Sequence, residues 1–170
     1  MEGVEVCDAL TRALDLEVEG MEFYAKCAEH TSSRDGKDMF KHLAGEEKVH
    51  YEKVTDIFKR LYNDEYCSYA EAHRRVGMRV SGGGVFEKKV PGGNLDDESD
   101  ALDALNIALK AEENSIRLYE KLAAGTSDRD ARVLFTRLVD EERTHRSILE
   151  AEAEFITETG EFHDFKTVTM

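Results

Sequence analysis

Tryptophan is absent from this chain of 170 residues, and proline occurs once, at Pro91. Proline is the strongest breaker of helix interiors, so long helices are permitted nearly everywhere else. Cysteine is scarce: Cys7, Cys27 and Cys67 stand far apart, with no C-x-x-C pair. That excludes a zinc ribbon, a rubredoxin-type iron centre and a thioredoxin motif. An odd cysteine count fits a reducing cytoplasm, and residues 1–5 open no basic segment followed by an apolar run. No apolar stretch approaches the roughly 20 residues needed to cross a bilayer. Positive charge is in deficit, with 23 Lys+Arg against 37 Asp+Glu and a net charge of −14. Such a surface repels phosphate backbones and anionic lipid, so neither nucleic acid nor membrane is expected as a partner. It also concentrates cations around the protein.

What is present is a repeat. Glu47-Lys48-Val49-His50 returns as Glu142-Arg143-Thr144-His145, at an offset of 142 − 47 = 95 residues. The same offset carries Glu17 to Glu112, Tyr24 to Tyr119, Asp8-Ala9-Leu10 to Asp103-Ala104-Leu105, and Phe40 and Leu43 to Phe135 and Leu138. It also carries Thr31-Ser32 to Thr126-Ser127, short polar breaks whose side chains suit helix N-caps. Leu10, Leu14, Met21, Ala25 and Ala28 before the first break, and Phe40, Leu43, Val54, Ile57 and Leu61 after it, recur at helical spacing. The pattern predicts helices over 5–30, 34–62, 100–124 and 128–158. The chain reads as one domain, 1–170, all-α, with hairpins 5–62 and 100–158 joined by a crossover over 63–99.

That crossover contains Ser81-Gly82-Gly83-Gly84 and Pro91-Gly92-Gly93-Asn94, which punctuate loops, and leaves room for a short helix between Ser68 and Val80. Its length has a geometric reason. If the second and third helices run the same way, the chain between them must climb the bundle, about 40 Å at 1.5 Å per residue. One long crossover of this kind separates ferritin-like bundles from up-down-up-down bundles. A flexible tether between two separate hairpins is the alternative.

In an antiparallel hairpin, residues equidistant from the turn lie at one height. Glu17 and Glu47 are centred on Ser32, and Glu112 and Glu142 on Ser127, each inside a capped break. Each lone Glu is therefore level with the Glu of its Glu-x-x-His, about 22 Å from the turn. Residues i and i+3 share a helix face, so each Glu and His pair can reach one ion or two adjacent ions. Two facing hairpins converge Glu17, Glu47, His50, Glu112, Glu142 and His145 in the core. Four buried carboxylates need compensation, and two divalent cations supply it. Mixed oxygen and imidazole ligation suits iron or manganese better than structural zinc. Tyr24 and Tyr119, two turns beyond Glu17 and Glu112, are placed to hydrogen-bond a ligand carboxylate across the bundle or to serve as plain core aromatics. Glu46 and Glu141 either orient the imidazole of the opposite motif or are solvated. His30, His42, His73 and His163 read as surface histidines, and Met21 and Met39 as core.

Leu16-Glu17-Val18-Glu19-Gly20-Met21-Glu22-Phe23-Tyr24 and Leu43-Ala44-Gly45-Glu46-Glu47-Lys48-Val49-His50-Tyr51 resemble the ferritin-like diiron-carboxylate superfamily, and most closely its rubrerythrin branch. The resemblance covers roughly 8–62 and 101–157. It implies a non-haem diiron centre held by Glu17, Glu47, His50, Glu112, Glu142 and His145, reacting with hydrogen peroxide or dioxygen. The chain departs from that branch twice. It has no paired cysteines of a rubredoxin domain, so electrons come from an external donor such as a rubredoxin-type protein. Ser115 stands where rubrerythrins place an extra Glu three residues after the third-helix ligand. The six ligands that remain are similar to those of bacterioferritin. Peroxide reduction is thus the first expectation, with ferroxidase, iron storage or iron delivery the second, and a diiron monooxygenase the third. A homodimer is expected. The Gly-rich crossover permits hairpins paired within one chain or exchanged between two.

Overall fold

The computed structural model describes residues 3–61, 67–70, 72, 74 and 94–163. Four long helices dominate: α1 Gly3–His30, α2 Arg34–Leu61, α3 Glu98–Gly125 and α4 Arg129–Thr159. Every boundary falls within two residues of the range expected from the sequence. No strand occurs among the described residues. None of the helices is long and apolar enough to cross a membrane.

The repeated polar breaks are the turns of two hairpins, and the caps repeat with them. Asp128 accepts a hydrogen bond from the Ala131 N–H at 2.8 Å, and its counterpart Ser33 accepts from Gly36 N–H at 3.2 Å. Thr31 and Thr126 brace the turns from within, accepting from the N–H groups of Ser33 and Asp128. These side chains satisfy amides that the first helical turn leaves without partners.

The start of α3 is fastened to the first turn. Leu95 N–H donates to the His30 carbonyl at 2.9 Å, and the Asp96 carboxylate accepts from Thr31 Oγ1 and Ser32 N–H. Because α2 and α3 begin at the same end, they run parallel. The chain after Leu61 therefore returns the length of the bundle, as in a ferritin-like fold. Most of that crossover, with its Gly-rich stretches, Pro91 and His73, lies outside the described residues. Of the short helix expected between Ser68 and Val80, Tyr69, Ala70, Ala72 and Arg74 are helical.

Two apolar clusters fill the bundle. One gathers Leu10, Leu14, Val54, Phe58, Tyr119, Phe135 and Leu138, and receives Cys67 and Ala72. The other, at the end that holds the first turn, gathers Phe23, Met39, Phe40, Leu43, Leu105 and Leu149. Three readings of the apolar stripe change: Ala25 is exposed and Met21 half-buried, because both sit at the stripe's edge, and Leu61 is half-buried at the end of α2. His30 and His163 are exposed and His42 half-buried.

Cys7 and Cys67 are joined by a disulfide, with Cα atoms 5.4 Å apart, and Cys27 is a buried free thiol. Sequence spacing assigned no role to these residues, and the pair removes the cysteine-based support for a reducing compartment. Past α4 the chain reverses at Gly160, whose φ of 73° is left-handed backbone that favours glycine. The reversal lays the Phe162 ring on Gly36, where an added Cβ would come within 2.8 Å of it.

Candidate metal centre

Between the two apolar clusters lies a buried polar layer. α1 contributes Glu17, α2 Glu47 and His50, α3 Glu112, and α4 Glu142 and His145. All six side chains expected from the repeat arrive in this layer, and none is more than 5% exposed. Ligand atoms of Glu47, His50, Glu142 and His145 lie within 4.8 Å of one another.

The distances divide the layer into two halves with shared members. His50 Nδ1 lies 3.3 Å from Glu47 Oε2, 3.1 Å from Glu142 Oε1 and 3.7 Å from Glu17 Oε2. His145 Nδ1 lies 3.1 Å from Glu142 Oε2, 3.7 Å from Glu47 Oε1 and 3.8 Å from Glu112 Oε1. Glu47 and Glu142 thus turn one oxygen toward each imidazole. Glu17 belongs to the His50 half and Glu112 to the His145 half. The two rings stack with centroids 5.3 Å apart.

Tyr24 Oη donates to Glu112 Oε1, and Tyr119 Oη donates to Glu17 Oε1. Each bond joins one hairpin to the other, so the tyrosines orient the two unshared carboxylates. Gly20 supplies the room. A Cβ there would stand 3.2 Å from Glu47 Cγ and 3.3 Å from Glu47 Oε1. Ser115, three residues after Glu112 and the repeat partner of Gly20, is buried beside the layer.

Burial decides the electrostatics, and crowding of like charge adds to it. Burial pushes the Glu47 carboxyl well above its usual range, and Glu142, Glu17 and Glu112 push it the same way. Burial likewise raises Glu112 and Glu142, with neighbouring carboxylates adding to it. Burial and the adjacent Glu112 and Glu17 raise Tyr24 and Tyr119 respectively, which keeps both hydroxyls protonated as donors. Burial alone would lower His50, but hydrogen bonds to Glu142, Glu17 and Glu47 outweigh it and raise the ring. Burial lowers His145, against the pull of Glu112.

The donor set fits a pair of divalent cations. Glu17 Oε2, Glu142 Oε2 and His145 Nδ1 are buried and make no hydrogen bond, although all three face the layer. Buried polar atoms without partners are rare in native proteins. Two divalent ions would partner these atoms and cancel the four carboxylates.

The rubrerythrin family model matches residues 8–153. The chain belongs to the rubrerythrin family. A solved structure of a hypothetical protein from Pyrococcus furiosus is similar to it, with a TM-score of 0.65 and 25% identity over 90% of each chain. No curated protein matches the chain. Membership in the rubrerythrin family and the buried Glu/His layer are together compatible with a diiron-type site.

Outside the layer, His50 Nε2 meets Glu141 Oε2 at 2.9 Å, a close approach that is poorly aligned as a hydrogen bond. Lys53 Nζ grips both oxygens of Glu141, at 2.8 and 3.1 Å. Burial opposes ionisation of Glu141, but Lys53 and His50 lower its carboxyl overall. This is the orienting position that sequence spacing offered Glu141. Lys53 and Gly20 drew no functional reading from this rubrerythrin-family sequence. The available signal was the repeat itself, which breaks at both: Lys53 maps to Ile148 and Gly20 to Ser115.

Proposed function

We propose that the protein is a non-haem diiron oxidoreductase that reduces hydrogen peroxide to water, with electrons from an external donor such as a rubredoxin-type protein. The observation that carries this reading is the pair of shared carboxylates, Glu47 and Glu142, each with an oxygen toward both imidazoles. Glu17, Glu47, His50, Glu112, Glu142 and His145 would hold two iron ions, and the same oxygen and nitrogen donors also suit manganese. When bound, two ferrous ions supply Lewis acidity and the two electrons that turn one hydrogen peroxide and two protons into two waters. The chain fixes the donors: Tyr24 and Tyr119 hold Glu112 and Glu17 in place, and the flanking apolar clusters keep bulk water from the layer. The expected assembly is a homodimer in which either arrangement of the hairpins leaves the same six donors together.

A second reading, ferroxidase with iron storage or delivery, has Ser115 in its favour, since a serine replaces the extra carboxylate of the resembled branch. Stopped-flow oxidation of the diferrous protein separates the two. Peroxide reduction requires faster oxidation by hydrogen peroxide than by dioxygen. Faster oxidation by dioxygen, with a many-subunit cage on size exclusion, overturns it in favour of storage.

A further inference from the structure

The two halves of the polar layer are near copies, but their outer supports differ. On the His50 side, Glu141 reaches Nε2 at 2.9 Å and Lys53 clamps both oxygens of Glu141. Repeat symmetry places Glu46 and Ile148 at the matching positions on the His145 side. Both are half-buried, and Ile148 has no charge to hold Glu46. Lys53 and Glu141 are each about a third exposed, at 34% and 37%. The clamp therefore stands at the boundary between solvent and the layer, spanning α2 and α4. An isolated ion pair at such exposure contributes little to stability. A neutral imidazole carries its proton on one nitrogen, and a carboxylate facing Nε2 fixes it there and leaves Nδ1 to bind.

We infer that Lys53 and Glu141 are positioning residues that make the two cation positions unequal, the clamp holding His50, and only His50, in the orientation and tautomer that presents Nδ1 to the layer. The inference rests on the two-cation reading above, but not on which oxidant the protein consumes. The ion beside His50 and Glu17 binds first and more tightly, because it takes the place on Nδ1 around which Glu142, Glu47 and Glu17 already converge while the clamp holds the ring from Nε2. The ion beside His145 and Glu112 binds second, to an imidazole that must still be ordered.

Calorimetric titration of the metal-free protein with Mn(II), repeated with Co(II) followed by its visible absorption, reads this without any turnover. Two binding steps of different affinity are expected in the unaltered protein. Glu141→Ala should weaken the tighter step by roughly 10- to 100-fold and leave the weaker one in place. Glu141→Gln keeps an acceptor oxygen and should restore most of the loss. Lys53→Met should fall between them, and Glu46→Ala should leave the tighter step unchanged. Circular dichroism confirms the fold of each variant, and Lys53→Met, at a partly exposed position, covers the case in which Glu141→Ala does not fold. Two equal steps, or equal weakening of both by Glu141→Ala, overturn the inference and leave the diiron reading standing. Binding of neither ion overturns both.

Discussion

Tyr24 and Tyr119 each donate from one hairpin to a carboxylate of the other, inside a buried layer. A phenylalanine at either position keeps the ring and removes the donor, leaving a buried carboxyl oxygen without its partner. Tyr24→Phe and Tyr119→Phe should each destabilise the metal-free protein by about 1–3 kcal/mol, read as a lower urea midpoint with an unchanged slope. Gly20→Ala tests the opposite balance. Alanine favours a helix interior over glycine by roughly 1 kcal/mol, but its methyl would press on the Glu47 side chain at 3.2–3.3 Å. The metal-free protein should therefore melt no lower, while Co(II) affinity falls on the order of tenfold as Glu47 is displaced. A variant that binds Co(II) as well as the parent would show that Glu47 has slack. That these six side chains and both tyrosines share one buried layer was legible because each occurs twice at one offset. Gly20 and Lys53 were not, because the copies differ there: Ser115 stands opposite Gly20 and Ile148 opposite Lys53, so no repeat points to them.

At the level of helices and turns, the repeat told where each hairpin bends because the capping chemistry was duplicated with it. Asp128→Ala should cost about 0.5–2 kcal/mol by freeing the Ala131 amide, measurable by urea denaturation, with metal affinity intact because the cap lies far from the polar layer. The crossover was legible as a length and not as a path. Its anchors are particular contacts: Leu95 on His30, Asp96 on Thr31 and Ser32, and Cys67 on Cys7. None leaves a periodic trace, and a disulfide between residues 60 apart in sequence carries no local signal. The Phe162 contact on Gly36 is hidden for the same reason, since nothing near either residue announces the other. Closing a loop of that length restricts the unfolded chain and can stabilise the fold by up to about 4 kcal/mol. Cys67→Ser should lower the urea midpoint of the oxidised protein accordingly and make it insensitive to dithiothreitol. A midpoint that reductant leaves unchanged in the parent would mean that the two thiols stay unbonded in solution.

For the whole molecule, the polar layer sets how stability depends on pH. Without metal, Glu47, Glu112 and Glu142 titrate above the ordinary carboxylate value of 4.5, because burial and mutual repulsion favour their neutral forms. A carboxyl raised on folding stabilises the fold when protonated. That contribution is complete below about pH 4.5 and is lost as pH rises through the raised values. His50, also raised, holds its contribution in full below its ordinary 6.5 and loses it in the same direction, as pH rises through its raised value. His145 is lowered, so its contribution is present above its ordinary 6.5 and is lost as pH falls. The lowered carboxyls of Asp96 and Glu141 also oppose the trend, but both are substantially exposed and screened by solvent. Three buried carboxyls outweigh these groups, and self-repulsion at a net charge of −14 acts with them as the acids ionise. The urea midpoint of the metal-free protein should therefore fall between about pH 5 and pH 8. On the two-cation reading, two divalent cations would bind the ionised donors, so loading would expel the protons that the metal-free layer holds. The Mn(II)-loaded protein should gain stability over the same pH range, and a pH indicator in weak buffer should report proton release during loading. Parallel slopes for the two forms, or loading without proton release, would mean that the carboxylates are already ionised and compensated without a cation, and the physical reason for a metal pair in this bundle would be gone.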